Sequence, residues 1–339
     1  MVRIDRMRAV SSKPKMQRMS PANQNQNRNR KSGRKGGHPG GRPGKVEPAT
    51  TSDWIAGARL RTLPLAVAPV LIGTGAAIAV GGPDTYHWVR ALLCLAVALF
   101  LQIGVNFAND YSDGVRGTDK YRVGPGRLTG SGKAKPRAVL TTALVFFALA
   151  ALAGLALVIR TQQWWLLLVG AAAIASAWFY TGGKRPYGYF GLGEVFVFVF
   201  FGLVATAGTQ FVQVLSVTQE AWFGGVAIGF VAVAALLINN IRDIDEDKLA
   251  GKRTLTVLIG RTASVVLYCV FLLLPYAILA LLSLAYPLGW LGLFGLLIAL
   301  PACLIAVTAK TAKELVLVLQ LTGIVGLVYG VALGAAFAF

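Results

Sequence analysis

Long apolar runs alternate with short polar ones along most of this chain, and that alternation sets its architecture. Nine stretches, at 63–80, 89–105, 138–159, 164–180, 195–215, 221–238, 263–286, 290–309 and 315–339, are each long enough to cross a bilayer at about 20 residues per crossing. Hydrocarbon offers the backbone no hydrogen-bonding partner, so runs of this length predict helices. Several are rich in Gly and Ala, which lets helices approach closely where lipid supplies no separate hydrophobic drive. The pattern predicts an all-α integral membrane domain over 51–339 with nine transmembrane helices.

Composition agrees, with 55% of residues hydrophobic and 14% charged. Charge then fixes an orientation. With nine crossings and the N-terminus inside, the inner segments are 1–62, 106–137, 181–194, 239–262 and 310–314. They hold all of the 33 Lys and Arg except Arg90 and Arg160. Such asymmetry is the positive-inside rule, and it predicts a multi-pass protein with its N-terminus and inner loops cytoplasmic.

Residues 1–50 differ from the rest. They carry 13 Lys and Arg against Asp5 and Glu47, with too little apolar surface to order themselves. A disordered basic tail is expected, in contact with anionic head groups or simply solvated. It lacks the apolar centre of an export signal. Nucleic-acid binding is not expected, because the chain beyond residue 50 is only +8 (20 basic, 12 acidic) and has no aromatic-interleaved basic surface. Cys94, Cys269 and Cys303 lie apart within predicted spans, and His38 and His87 lie in loops. Neither a disulfide framework nor a histidine-based site is predicted.

Polar residues interrupt the pattern at two matched places. Asn106-Phe107-Ala108-Asn109-Asp110-Tyr111-Ser112-Asp113 follows the second apolar run, and Asn239-Asn240-Ile241-Arg242-Asp243-Ile244-Asp245-Glu246-Asp247 follows the sixth. Carboxylates at the mouth of a membrane helix cost free energy unless something cationic meets them. At about 100° per residue, Asn106, Asp110 and Asp113 share a sector roughly 60° wide, and so do Asn240, Asp243 and Asp247. Asp245 projects to the opposite side. If each helix persists through its cluster, the two stripes face each other at the cytoplasmic end. Asp110, Asp113, Asp243 and Asp247 would then hold Mg²⁺, two ions bridging a diphosphate, with Asn106 and Asn240 as further oxygen donors.

These clusters and the nine spans resemble the UbiA-type intramembrane aromatic prenyltransferases, over about residues 52–339. Asn109-Asp110-Tyr111-Ser112-Asp113 fits that family's first motif, although the next acid, Asp119, comes later than the family pattern places it. Asp243 and Asp247 keep the spacing of the second motif. Arg59-Leu60-Arg61-Thr62-Leu63-Pro64, the run from Tyr180 to Tyr189, Gly191-Leu192-Gly193-Glu194 and the stretch from Lys248 to Leu255 are similar to the 1,4-dihydroxy-2-naphthoate polyprenyltransferase branch.

The resemblance implies a helical enzyme with a central cavity. It would transfer a polyprenyl chain from an allylic diphosphate to an aromatic acid, 1,4-dihydroxy-2-naphthoate, with loss of CO₂ and pyrophosphate. Lys184, Arg185, Lys252 and Arg253 are expected to assist at the diphosphate or the acceptor, Arg185 chiefly at the acceptor carboxylate. Tyr187, Tyr189 and Phe107 are placed to steady a carbocation. Asn106, Asn109, Asn240 and Glu194 complete the expected substrate-binding set. The alternatives are a 4-hydroxybenzoate, haem or chlorophyllide acceptor or, from a different class, a divalent-cation transporter. The last would favour acids near the bilayer midplane rather than at the helix ends.

Overall fold

The structure, a computed structural model, describes residues 47–82, 87–121 and 126–339. Residues 1–46 of the expected basic tail lie outside the described residues. Among those described the chain is helical, without strands.

Helix α1 (Thr51–Gly57) starts with a capping box, in which Thr50 and Asp53 satisfy each other's backbone N–H. Asp53 also takes a bond from Lys133 at 2.8 Å, which lowers its carboxyl to about 2. With the Ala49 N–H donating to the Lys133 carbonyl (3.0 Å), this ties α1 to the segment after α3. The apolar runs then become α2 (Pro64–Gly81), α3 (Trp88–Arg116), α4 (Pro136–Thr161) and α5 (Leu166–Phe179). One crossing over Gly193–Val214 is built from α6 (Gly193–Val197), π-helical turns at Phe198–Val204 and α7 (Ala205–Val214). There follow α8 (Gln219–Arg242), the short α9 (Ile244–Leu249), α10 (Leu255–Leu282), a 3₁₀ stretch (Pro287–Gly295) leading into α11 (Leu296–Thr308), and α12 (Ala312–Ala338).

Eight of these helices are long and apolar enough to cross a membrane. The ninth expected crossing is α5, whose 14 residues reach only about 21 Å against roughly 30 Å of hydrocarbon. Its apolar run is consumed at one end by a turn at Trp164 and Trp165, and at the other by the Gly182–Gly183 turn.

Two halves enclose a cavity. In one, α2, α8, α10, α11 and α12 pack around Ile72, Ile228, Leu237, Tyr268, Leu272 and Tyr329, all buried. Gly75 lies directly against the Gly334 backbone, so any side chain there would push α2 off α12. In the other, α3 and α4 meet through Phe107, Ala143 and Phe147.

Candidate active site

The first cluster stays helical. α3 runs unbroken through it and stops only at Gly117, left-handed at φ 76°. The second does not: α8 ends at Arg242, and Asp243 (φ −99°, ψ 13°) turns the chain into α9. Both nevertheless deliver side chains to one cavity of about 590 Å³, lined by α2 to α8. Its walls are apolar, from residues such as Pro69, Val70, Val97, Phe200, Val204 and Ala232. The ends of α3 and α8, with α9, bring a polar group that includes Asn106, Asn109, Asp113, Asn239, Asn240, Asp243 and Asp247. Four cations, Arg59, Arg127, Arg242 and Lys252, join them.

Asp113 is the hub. One of its oxygens accepts from Arg127 Nη1 at 2.8 Å and Lys252 Nζ at 3.4 Å, and the other from the Tyr189 hydroxyl at 2.5 Å. Lys252 continues to Asp247 (3.4 Å) and sits 4.7 Å from the centre of the Tyr189 ring, within cation–π range. Arg127 also donates to the Asn109 carbonyl (2.8 Å), and its Nε lies 3.6 Å from Asp119. Asp119, out of register in the motif, thus stands behind an arginine. Arg242 grips Asp243 through two bonds of 2.6 and 2.7 Å. Burial alone would depress the Lys252 ammonium, but Asp113 and Asp247 outweigh it and hold the charge. Burial pushes the Asp247 carboxyl up to about 6, with Lys252 opposing.

Neutral partners fix the frame. The Thr181 hydroxyl donates to the Asn109 side chain (2.7 Å), Asn106 donates to the Ala58 carbonyl (3.0 Å), and Asn240 donates to Glu194 (3.3 Å). Tyr187 stacks on Phe196 with ring centres 4.1 Å apart, and its hydroxyl is anchored on the Ser176 carbonyl (2.9 Å).

Of the candidates named from the sequence, Asn106, Asn109, Asp113, Asn240, Asp243, Asp247, Tyr187, Tyr189 and Lys252 line the cavity. The other candidates lie elsewhere. Lys184, Arg185 and Arg253 are exposed and do not line it. The left-handed turn at Gly183 and the 3₁₀ turn Tyr187–Phe190 direct that loop's tyrosines inward and leave its bases outside. Arg253 contributes only its backbone, whose N–H donates to the Tyr189 carbonyl at 2.9 Å. Glu194 is buried behind Asn240 rather than in the wall. Phe107 packs against Trp54 and Phe146. Asp110, expected as a metal ligand, is 2% exposed and absent from the wall. Its two oxygens accept the backbone N–H groups of Leu128 and Thr129, each at 2.8 Å.

Arg59, Arg127, Asn239, Arg242 and Tyr180 reach the cavity although spacing did not single them out. For Arg59 the missing signal is conformational, since it holds the left-handed region at φ 52°.

The donor set fits Mg²⁺. Asp113, Asp243, Asp247 and the neighbouring amides offer hard oxygen only, a few carboxylates from two sides of one cavity. Among the described residues no three Asp, Glu, His or Cys side chains form a cage for a metal. Mg²⁺ asks for one or two carboxylates, its waters and a substrate phosphate, not a cage.

Comparison with known proteins places this geometry in a class. The model of the UbiA prenyltransferase family matches residues 66–316, and the chain belongs to that family. It is 48% identical to the 1,4-dihydroxy-2-naphthoate octaprenyltransferase of Mycobacterium tuberculosis, over 86% of this chain and 98% of that protein. It is 39% identical to the Escherichia coli protein of the same name, over 62% of this chain and 69% of that one. Among solved structures, a UbiA homolog from Aeropyrum pernix K1 superposes with a TM-score of 0.62 at 16% identity, covering 79% of this chain and 96% of that one. A UbiA homolog from Archaeoglobus fulgidus, bound to GPP and Mg²⁺, gives 0.55 at 16% identity, covering 83% and 99%. At these identities the superpositions speak for the fold.

Proposed function

We propose that the protein transfers a polyprenyl chain from an allylic polyprenyl diphosphate to 1,4-dihydroxy-2-naphthoate, with loss of CO₂ and pyrophosphate. The observation that carries this reading is the convergence of Asp113, Asp243, Asp247, Arg127 and Lys252 on the polar part of an otherwise apolar cavity. The acceptor assignment is supported by the 48% identity to the mycobacterial enzyme.

Each group has a task in that reaction. Ionising an allylic diphosphate moves negative charge onto the leaving group, and preorganised cations lower that barrier. Arg127 and Lys252, mostly shielded from solvent and held by Asp113, are set to receive it. Mg²⁺ bound through Asp113, Asp243 and Asp247, with Asn106, Asn109 and Asn240 as oxygen donors, would supply further charge neutralisation on the diphosphate oxygens. Tyr187 and Tyr189 turn aromatic surface toward the cavity, where a delocalised carbocation is steadied. The apolar walls take the prenyl chain and keep water from the cation.

The acceptor carboxylate needs a different cation. With Arg185 on the surface, Arg59 takes that part, because it lines the cavity next to Thr62 and Asn106 in a backbone conformation that strains a non-glycine residue. Arg59→Ala is expected to raise the acceptor KM roughly ten- to a hundredfold, the effect of losing one charged hydrogen bond worth about 1.5–3 kcal/mol. Arg185→Ala should change neither substrate's KM by more than about twofold. Steady-state kinetics with each substrate varied in turn check both outcomes.

The bacterial relatives support a place in the plasma membrane, and the charge pattern supports an N-terminus and both motifs on the cytoplasmic side, where soluble acceptor and Mg²⁺ are available. Residues 1–50 are a basic tail accessory to a catalytic domain over 51–339. Removing residues 1–45 should leave turnover in detergent within about twofold, since the segment has little apolar composition and holds no motif residue. A purified truncation that lost most of its turnover at saturating substrate would contradict this. The function itself is tested in a bacterial strain unable to prenylate 1,4-dihydroxy-2-naphthoate. Expression of this chain should restore the prenylated quinone, and its continued absence despite membrane-inserted protein would reject the assignment.

A further inference from the structure

In the first motif Asp113 lines the cavity, whereas the Asp110 carboxylate does not. Both its oxygens are spent on consecutive backbone amides, Leu128 N–H and Thr129 N–H at 2.8 Å each. The residue just before that pair is Arg127, whose guanidinium reaches Asp113, Asp119 and the Asn109 carbonyl. The strand of chain carrying Arg127 is seated closely. Leu128 is 3% exposed and packs in the Phe107 cluster. A Cβ on Gly114 would lie 2.5 Å from the Thr129 side chain, and one on Gly130 would lie 2.6 Å from Asp119 Cβ. The α3 surface and this segment are therefore fitted to each other without slack, and the charged bonds of Asp110 set the register.

We propose that Asp110 is a positioning residue: it holds the 127–129 backbone so that the Arg127 guanidinium stands at the cavity to receive the diphosphate, and it is not a ligand to metal. The proposal rests on the reading that a diphosphate binds there. It separates two acids that the motif presents as equivalent, Asp113 toward the cavity and Asp110 toward the loop.

The probe is inorganic pyrophosphate, with binding to the full-length protein measured with Mg²⁺ and again in EDTA. Alongside it, the Mg²⁺ concentration giving half-maximal turnover is read. Asp110→Asn keeps the shape but turns an NH₂ toward a backbone N–H, so the segment shifts. Pyrophosphate affinity should fall about tenfold or more, as for loss of a charged contact, by the same factor with and without Mg²⁺. Half-saturation by Mg²⁺ should stay within about twofold. In an Arg127→Gln background the same substitution should cost nothing further, because two residues acting through one contact are not additive. Gly114→Ala, which displaces Thr129 without touching a carboxylate, should reproduce the pattern should Asp110→Asn fail to fold.

A tenfold rise in the Mg²⁺ requirement of Asp110→Asn, with unchanged pyrophosphate affinity in EDTA, would make Asp110 a metal ligand and overturn the proposal. Additive losses in the double variant would overturn it as well. Wild-type protein that binds no pyrophosphate under either condition would overturn both the proposal and the diphosphate reading beneath it.

Discussion

Asp113→Ala is expected to lower turnover by at least about 10³-fold. This carboxylate holds Arg127, Lys252 and the Tyr189 hydroxyl at once, in a position 2% exposed. Removing one partner of a buried ionic network leaves the others uncompensated, at a cost of about 3–5 kcal/mol. Two cations and a tyrosine would lose their common anchor, so the effect should fall on turnover and on diphosphate binding together. Asp113→Asn, which retains an acceptor for Tyr189, should be less damaging than Ala though still strongly impaired. Single-turnover rates on folded, detergent-purified variants check this. An Ala variant within tenfold of wild type would show that the hub is structural only.

Chelation carries the second large effect. The charged residues of the cavity wall are four cations (Arg59, Arg127, Arg242, Lys252) and three carboxylates (Asp113, Asp243, Asp247), a surplus of one positive charge. A diphosphate ester carries more negative charge than that surplus offsets, and in an apolar cavity the remainder is costly. EDTA should therefore reduce turnover to background, and Mg²⁺ should restore it. Asp243→Ala should show the same loss with restoration only at Mg²⁺ raised tenfold or more, since it removes a donor and frees Arg242. Full activity in chelator would remove metal from the account.

The limits of the sequence follow from what periodicity can and cannot encode. Among the described residues hydropathy located the eight helices long enough to cross and the shorter α5, because each must bury or expose apolar surface along its whole length. It could not tell that α5 stops at 14 residues, since the tryptophans that begin its turn count as apolar. Helical projection put Asn106, Asp110 and Asp113 in one sector of α3, of which Asn106 and Asp113 line the cavity. It does not say where the cavity ends and the packed loop begins, and that edge falls between Asn106 and Asp110. For the second cluster a continuous helix was the wrong premise, since the helix breaks at Asp243, yet Asn240, Asp243 and Asp247 all line the cavity. Arg127 was illegible for another reason. It sits among several bases between α3 and α4, and its position is fixed by Asp110 and Asp113, contacts that reach back 14 and more residues along the chain. Lys184 and Arg185 drew attention by charge, whereas the fold uses the tyrosines beside them.

The central claim is the reaction itself, and the masses of its products test it most directly. Purified protein is given one polyprenyl diphosphate, Mg²⁺ and, in separate reactions, 1,4-dihydroxy-2-naphthoate labelled with ¹³C in the carboxylate or 4-hydroxybenzoate. The account predicts a product from the naphthoate in which the prenyl group replaces the carboxyl group, its mass the acceptor plus the prenyl group less CO₂ and one hydrogen, with labelled CO₂ and pyrophosphate released in equal amounts. It predicts no prenylated product from 4-hydroxybenzoate. Prenylated hydroxybenzoate that retains its carboxylate, with the naphthoate unchanged, would contradict it.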